Sequence, residues 1–349
     1  MIKRRVFCIG ILLISAVAAL RIFHIPGRLR TFARNLTYKY QRAQLPSGET
    51  SDGWRKSKQN PVLGGALGTC FDVSLLREND RFHMWFSWRP HKSIARVESP
   101  DGIHWSAPVV ALGPNQTTHW EANINRPSVL KRPDGYHMWY TGQNGTRSWI
   151  GYATSSTGQT WTRRSATPVL SAAANWEKVA VMAPHVLWDE PDRLYKMWYS
   201  GGEQYEPDAI GYATSLDGLT WSKHTANPIF RPNRQNLWEQ AKVTACQVLY
   251  HNDAYLMFYI GFMNQHLAQI GMARSPDGIN HWTRHPANPI IRVGGDQDAW
   301  DYDAVYKPFA MQHDGRWLLW YNGRRKRVEQ IGLAIFDGDD VWPAMSRSS

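Results

Sequence analysis

The stretches YHMWYTGQNGTRSWIGYATSSTGQTW (136–161) and YKMWYSGGEQYEPDAIGYATSLDGLTW (195–221) are two copies of one phrase, and that phrase decides the fold. Each runs as an apolar-aromatic strand, a short link, IGYATS, a turn and a tryptophan. Weaker copies surround them: FHMWFSW with SIARVESPDGIHW, YLMFYIGF with QIGMARSPDGINHW, and WLLWYNGR with QIGLAIFDGDDVW. The turn tryptophans fall at Trp105, Trp161, Trp221, Trp282 and Trp342, a period of roughly 60 residues that holds several strands and no helical pattern. Such a period predicts the blades of an all-β propeller, five of them.

Each copy opens on a strand that ends in an Asp or Gly turn: FDVSLLREND, NRPSVLKRPDG, APHVLWDEPD, CQVLYHND and KPFAMQHDG. Large apolar and polar residues alternate in the second strand, which predicts a half-buried strand. The small residues of IGYATS predict close approach of one blade to the next. After the turn Trp, three copies reach a Pro-containing phrase, as at Thr167-Pro168, Asn227-Pro228 and Asn288-Pro289. The same phrase occurs early, as Ser51-Asp52-Gly53-Trp54 followed by Asn60-Pro61-Val62-Leu63, with no blade in front of it. The last copy stops at Trp342 without one. Residues 51–63 are therefore expected to pair with the last blade and close the ring. The SxDGxxW turns themselves read as structural, an Asp/Gly turn whose Trp packs the outer sheet.

Composition narrows the function classes. The chain has 349 residues, 18 Trp and a formal charge of +11. The aromatics suit stacked sheets and sugar faces alike. Much of the positive excess lies before residue 60, at Lys3, Arg4, Arg5, Arg21, Arg28, Arg30, Arg34, Lys39 and Arg42, beside the apolar run VFCIGILLISAVAAL (6–20). That juxtaposition reads as membrane-proximal charge rather than a nucleic-acid footprint. Residues 1–49 are expected to be a signal-anchor, or a signal peptide cleaved near Ala16-Val17-Ala18, with a basic stem. Residues 50–349 are then the propeller, outside the cytoplasm, as a single-pass membrane or secreted protein. Asn35, Asn115 and Asn144 stand in glycosylation sequons, which act only in a eukaryotic source. Three cysteines give no disulfide framework, and no Cys/His spacing suggests a metal. No cofactor is expected.

The repeat also separates scaffold from site. Trp120-Glu121, Trp176-Glu177, Trp238-Glu239 and Trp300-Asp301 recur ahead of four first strands, and recurrence makes them architectural. Thirteen residues before the second-strand aromatic, or fifteen in the third copy, stand Asp72, Arg126, Ala183, Ala245 and Lys307. This register predicts one carboxylate, two cations and two small residues near the axis. Asp72 is the lone acid of that set, and Asp303, four residues before Lys307, is matched in no other copy. His185 follows Ala183 closely. The third copy's link is enlarged to SGGEQYEPDAIG, with Glu203, Tyr205, Glu206 and Asp208 at a mouth of the propeller. Asn144 in the second link and Trp88 at the end of the first copy's second strand offer a hydroxyl partner and an aromatic face for a sugar.

These phrases resemble the five-bladed β-propeller glycosidases, the set that includes glycoside hydrolase families 43, 32 and 130, over about residues 51–345. The resemblance implies an enzyme that cleaves a glycosidic bond in a surface or extracellular glycan with paired carboxylates. Asp72 in GTCFDVSLL matches the base or nucleophile of the first blade, and Glu203 stands nearest to the general acid by position. Arg126 occupies the place of the family's pKa-tuning Asp. Asp303 is a further catalytic candidate; Arg126, His185, Lys307, Tyr205, Trp88 and Asn144 are the substrate-binding candidates. The cations would suit an acidic sugar or, as in family 130 phosphorylases, phosphate. A phosphorylase or transferase on the same fold, and a non-catalytic carbohydrate-binding propeller, are the competing readings. An Asp72 sealed against Arg126 with no second acid nearby would favour the binder.

Overall fold

The computed structural model describes residues 40–45 and 48–342. The expected anchor segment and most of the basic stem lie outside the described residues. No helix among the described residues is long and apolar enough to cross a membrane. Residues 40–43 form a short helical turn.

From Gly48 onward the chain is nearly all β, in antiparallel units of four strands. Cys70–Glu78, Arg81–Trp88, Ser93–Ser99 and Val109–Leu112 form the first. Asn123–Arg132, Gly135–Gln143, Ser148–Ser155 and Thr162–Arg163 form the second, and a parallel bridge from Ser148 to Ala180 joins it to the third. The third comprises Ala180–Asp189, Leu194–Gly202, Ala209–Ser215 and Ser222–Lys223, and the fourth Lys242–His251, Ala254–Phe262, Ala268–Ser275 and Thr283–Arg284. Ala304–His313, Arg316–Arg325 and Val328–Asp337 make the last, and Arg55–Lys56 supplies its fourth strand by pairing with Ile335 and Ala334.

The phrase residues after Arg55–Lys56 dock as their counterparts do elsewhere. The Asn60 amide accepts from Leu333 N (2.7 Å) and donates to Leu333 O (3.0 Å), as the Asn227 amide does with Tyr212 and the Asn288 amide with Met272. An Asn side chain here imitates a peptide group on a strand edge.

The second strands are not half-buried. Met138, Trp139, Tyr140 and Thr141, and likewise Met197, Trp198, Tyr199 and Ser200, are buried on both faces, because each sheet is covered by another on either side. Polar members of the alternation survive there by being paired: Lys196 Nζ reaches Asp189 Oδ2 at 2.5 Å and Tyr255 OH at 3.2 Å.

Bonds between units are regular. The indoles of Trp85, Trp139, Trp198 and Trp320 donate to the turn carbonyls of Gly158, Gly218, Gly278 and Gly102, each on the unit that follows, and the last of these runs from the last sheet to the first (2.9 Å). Each turn is tied by its own Ser, joined by an Asp in three of the four and by Thr157 in the other. Ser215 Oγ accepts from Gly218 N, and Asp217 Oδ1 accepts from Leu219 N and Thr220 N at 2.8 and 2.7 Å. The Thr220 N–H and its neighbours hold the Asp217 carboxyl below its ordinary range. These acids are spent on the backbone, which fits their structural reading.

The Gly residues of IGYATS have a different cause from the one expected. A Cβ at Gly211 would lie 2.8 Å from both Trp176 and Tyr199 ring carbons, and one at Gly332 would lie 2.6 Å from Trp300. The space they leave is filled by the Trp of the Trp-acid pair, not by the neighbouring blade. The acid of each pair is buried on a matching pair of partners. Glu121 accepts from Tyr140 OH (2.6 Å) and Arg163 Nε (2.8 Å), Glu177 from Tyr199 OH (2.7 Å) and Lys223 Nζ (2.7 Å), and Glu239 from Tyr259 OH (3.0 Å) and Arg284 Nε (2.6 Å). Asp301 completes the set with Tyr321 OH (3.3 Å) and Lys56 Nζ (2.6 Å), the latter from the N-terminal strand. Four buried acids, four tyrosines and four fourth-strand cations thus form one repeated architectural contact.

Candidate functional site

Every first strand slips its pairing once against its second strand: between Phe71 and Ser74, Asn125 and Ser128, Met182 and His185, Thr244 and Gln247, and Tyr306 and Phe309. The residues that open these bulges are the five aligned from the sequence. Asp72, Arg126, Ala183, Ala245 and Lys307 have φ of 55, 53, 51, 40 and 52°. A left-handed residue with a Cβ costs about 1–2 kcal/mol, so the conformation needs support. It comes from the adjacent second strand: Asn322 Oδ1, Ser87 Oγ, Thr141 Oγ1 and Ser200 Oγ accept the backbone N–H of Asp72, Arg126, Ala183 and Ala245 at 2.7–3.0 Å. Ile260 stands at the corresponding place opposite Lys307 and has no oxygen to offer.

A second set of bonds aligns the first strands with one another. Ser74 Oγ accepts from Val129 N, and Ser128 Oγ from Val186 N. His185 Nε2–H donates to Val248 O at 2.6 Å, and the Gln247 amide bonds both N and O of Ala310. His185 therefore belongs to a recurring register, and its expected role as a sugar ligand is corrected to that of a link between sheets. Burial pushes its pKa down to about 4.

Three of the bulge residues share charge. Asp72 is 2% exposed, with Oδ2 3.5 Å from Arg126 Nε and no hydrogen-bond donor on that oxygen. Arg126 Nη1 also donates to Asn125 Oδ1 (2.9 Å). Lys307 is buried, and burial brings its pKa down to about 8 against the pull of Asp72.

The acid coupled electrostatically to Asp72 and Arg126 is Glu206, not Glu203. Glu203 is exposed and tied to Lys242 Nζ (2.7 Å) and Lys178 Nζ (3.4 Å), which also hold Asp208. The Lys242 bond comes first in lowering the Glu203 pKa, which keeps it ionised and unsuited to donate a proton. The same cluster fastens the loop, and Lys242 Nζ also bonds Glu206 O at 2.7 Å. Asn125, Gln143, Ser148 and Gln204 add a hydrogen-bonded chain (2.7, 3.0 and 3.1 Å) from the second sheet to this loop. Glu206 is thereby held at φ 58°, immediately before Pro207, a rare conformation for a residue ahead of proline. The residue is half-buried, but its carboxyl faces the interior. Burial raises its pKa, opposed by Arg126 and Arg324 and reinforced by Asp72 and Glu329. Sequence reasoning missed it; the Glu-Pro step and the link's extra length were the available signals.

The remaining candidates fall as follows. Asp303 accepts from Lys326 N (2.5 Å) and so ties the hairpin at the end of the last sheet, which leaves it a backbone role instead of a catalytic one. Asn144 Oδ1 closes its own turn through Thr146 N and Arg147 N. Trp88 is half-buried, with Nε1 on Leu67 O (2.9 Å) and its ring 3.8 Å from that of His91. Tyr205 is 72% exposed and lines, with Glu206, Gln265 and His266, a recess of about 470 Å³. Cys70 and Cys246 are buried free thiols, both pushed up to about 12 by burial. No group of His, Cys, Asp and Glu among the described residues is arranged to hold a metal.

Comparison with known proteins agrees with this architecture. Residues 74–243 match the sequence profile of the Glycosyl hydrolases family 32 N-terminal domain. Uncharacterized protein Rv1502 of Mycobacterium tuberculosis (strain ATCC 25618 / H37Rv) is 27% identical over 230 residues, 62% of this chain and 72% of that protein. A glycoside hydrolase structure superposes with a TM-score of 0.66 at 18% identity, covering 88% of this chain and 97% of the other. A thermostable family-43 glycoside hydrolase gives 0.63 at 16%, covering 83% and 99%. A structure from the GH130 family of mannoside phosphorylases, described as containing glycoside hydrolases that target β-1,2 mannosidic linkages in Candida mannan, gives 0.65 at 16%, covering 86% and 97%. The chain shares the β-propeller fold of these glycoside hydrolases, as its repeats suggested.

Proposed function

We propose that this chain is a glycoside hydrolase-like enzyme in which Glu206 protonates the leaving glycosidic oxygen and Asp72 acts as base or nucleophile. The five sheets are read as the blades of one ring closed by Arg55–Lys56, with the site on its axis. One observation carries the chemistry: two acids from different sheets sense each other and the same Arg126, while burial raises the pKa of Glu206. Separated protonation of two carboxyl groups is what acid–base cleavage of a glycoside requires. Glu206 stays neutral to higher pH than an ordinary carboxyl and so holds a proton to give. Asp72 Oδ2 has no hydrogen-bond donor among the described residues, which leaves its lone pairs for a water proton or the anomeric carbon. Arg126 counters the charge on Asp72.

Lys307 and Arg126 beside Asp72 also support a second reading, phosphorolysis, in which inorganic phosphate takes the place of water. A carbohydrate-binding propeller without catalysis is the third reading, and the second acid at the site argues against it. The exported location stays part of the proposal, on the strength of the apolar run 6–20.

The full chain assayed on a glycan and aryl-glycoside panel, with and without phosphate, tests these readings together. Glu206→Gln should lower kcat/KM about 10²–10⁴-fold on natural glycosides, and far less on aryl glycosides whose leaving group needs no proton. Asp72→Asn should abolish turnover of both, and Glu203→Gln should leave turnover near wild type. Wild-type rates in Glu206→Gln on a natural glycoside would sink the assignment.

A further inference from the structure

The two ends of the propeller differ in the charge their loops expose. Links from second to third strands all lie at the end where the first strands begin, because Cys70 pairs with Trp88, Asn123 with Gln143 and Ala304 with Arg324. These links present Arg89, Lys92, Arg147, Lys326 and Arg327, all exposed. The acids of the links are Glu203 and Asp208, neutralised by Lys178 and Lys242, and Glu206 of the site itself. At the other end, the hairpins from first to second strands carry Asp80, Asp134, Glu190, Asp192, Asp253 and Asp314, of which Asp80, Glu190 and Asp192 are paired with Arg77, Arg132 and Lys196. The structural turn acids Asp101, Asp217 and Asp277 add to that end.

The exposed cations of the links share one sector, whereas Lys178, Arg231 and Arg234 on the third sheet's flank stand beside Asp208. The link cations come from the first, second and last sheets, the sheets that supply Asp72, Arg126 and Lys307. Beneath them Lys307 is 5% exposed, and its ammonium has no hydrogen-bonding partner among the described residues. The opposite flank, from the third and fourth sheets, is apolar at the same depth, with Met182, Ala183, Ala245 and Ile260.

From this polarity we propose that the natural substrate is a polyanionic glycan, with carboxylate- or sulfate-bearing sugars on the units flanking the scissile bond. These lie over the rim of Lys92, Arg147 and Arg327, with one anionic group reaching Lys307. The inference rests on the enzymatic reading of the axial site. A rim of one sign above a recessed floor focuses the field and raises encounter rates with anions. A neutral glycan would gain nothing from it. The sector geometry fixes direction as well, placing the charged edge of the glycan toward the first, second and last sheets.

The test uses the full chain carrying Asp72→Asn, so that ligand is not consumed. Oligogalacturonate and chondroitin sulfate oligosaccharides are titrated beside their carboxyl-reduced or desulfated counterparts, and beside single-stranded DNA of similar length, at low and high salt. At least one acidic glycan should bind about tenfold or more tighter than its neutralised counterpart. That preference should collapse at high salt, and in Lys92→Glu/Arg147→Glu/Arg327→Glu, whose melting temperature should match that of its parent. Which of the two glycans is preferred separates carboxylate from sulfate. Equal binding of every acidic and neutralised pair would overturn the inference, as would a preference that survives the triple reversal. DNA bound as tightly as any glycan would assign the rim to unselective anion attraction and overturn it too. An acid preference in a wild-type chain that cleaves nothing would remove the enzymatic reading and leave the rim standing. Salt-independent cleavage of neutral glycans would do the reverse.

Discussion

Lys56→Met is the sharpest probe of how the N-terminal strand holds the last sheet. Lys56 Nζ lies 2.6 Å from Asp301 Oδ2, and the two side chains are 8% and 2% exposed. Removing the cation leaves a buried carboxylate with a 3.3 Å bond from Tyr321 OH and no close counter-charge, since Glu49 adds only repulsion nearby. Breaking a buried pair from one side costs about 3–5 kcal/mol. About 300 folded residues at about 2.1 cal/mol/K each give an unfolding entropy near 0.6 kcal/mol/K, so the loss converts to a Tm lower by about 5–8 °C. Arg55→Ala, one residue away, removes a pair that is 53% and 64% exposed, and should move Tm by about 1 °C or less. Lys56→Met combined with Asp301→Leu removes the stranded charge and should regain most of the difference. Circular dichroism melts on the three variants read this directly. A Lys56→Met melt within 1 °C of wild type would refute the idea that the N-terminal strand clamps the last sheet through its fourth-strand cation.

His185→Gln should keep the link to the neighbouring sheet, as Gln247 does at the same register, and remove an acid liability. His185 titrates at about 4 in the folded chain against 6.5 ordinarily, so the unfolded chain binds more protons between those values and wild-type stability falls as pH drops from 6.5 to 4; denaturant melts of the variant should lose most of that slope, and an unchanged slope would contradict the burial argument. Gly211→Ala places a methyl 2.8 Å from Trp176 and Tyr199 and should cost about 1–3 kcal/mol, whereas Gly113→Ala, whose nearest neighbour is Ser93 Oγ at 3.9 Å, should cost less than about 0.5 kcal/mol. Equal melts for the two would remove the reason given for the paired glycines.

The repeat made much of the fold readable. A phrase that recurs states its own constraint, so the Trp-acid pairs, the Asp/Gly turns and the Asn-Pro phrase at 60–61 could be assigned by comparing copies. The same comparison located the five bulge residues, although nothing in their chemistry announces a left-handed backbone; that conformation is imposed by hydroxyls and amides on another sheet. His185 was misread because the comparison stopped at the bulge. Two residues further on, Ser74, Ser128, His185 and Gln247 are polar in four copies, which is the mark of scaffold. Glu203 and Glu206 were beyond this method, since one loop occurs once. Choosing between them depends on Lys178 and Lys242, which are distant in sequence and decide which carboxyl is tied down and which is left to face Asp72.

The bulges have a consequence for how this architecture acquires new chemistry. Backbone at four of the five is set from outside by a neighbour's side chain, so the residue that occupies it contributes little to its own placement. The positions behave as interchangeable sockets, one on each first strand, of which three are filled by Asp72, Arg126 and Lys307 and two, Ala183 and Ala245, are blank. Asp and Asn accept left-handed backbone more readily than other residues with a Cβ. A carboxylate grafted at Ala183 or Ala245 would therefore enter the site at a fixed depth without redesign of the sheets that carry it.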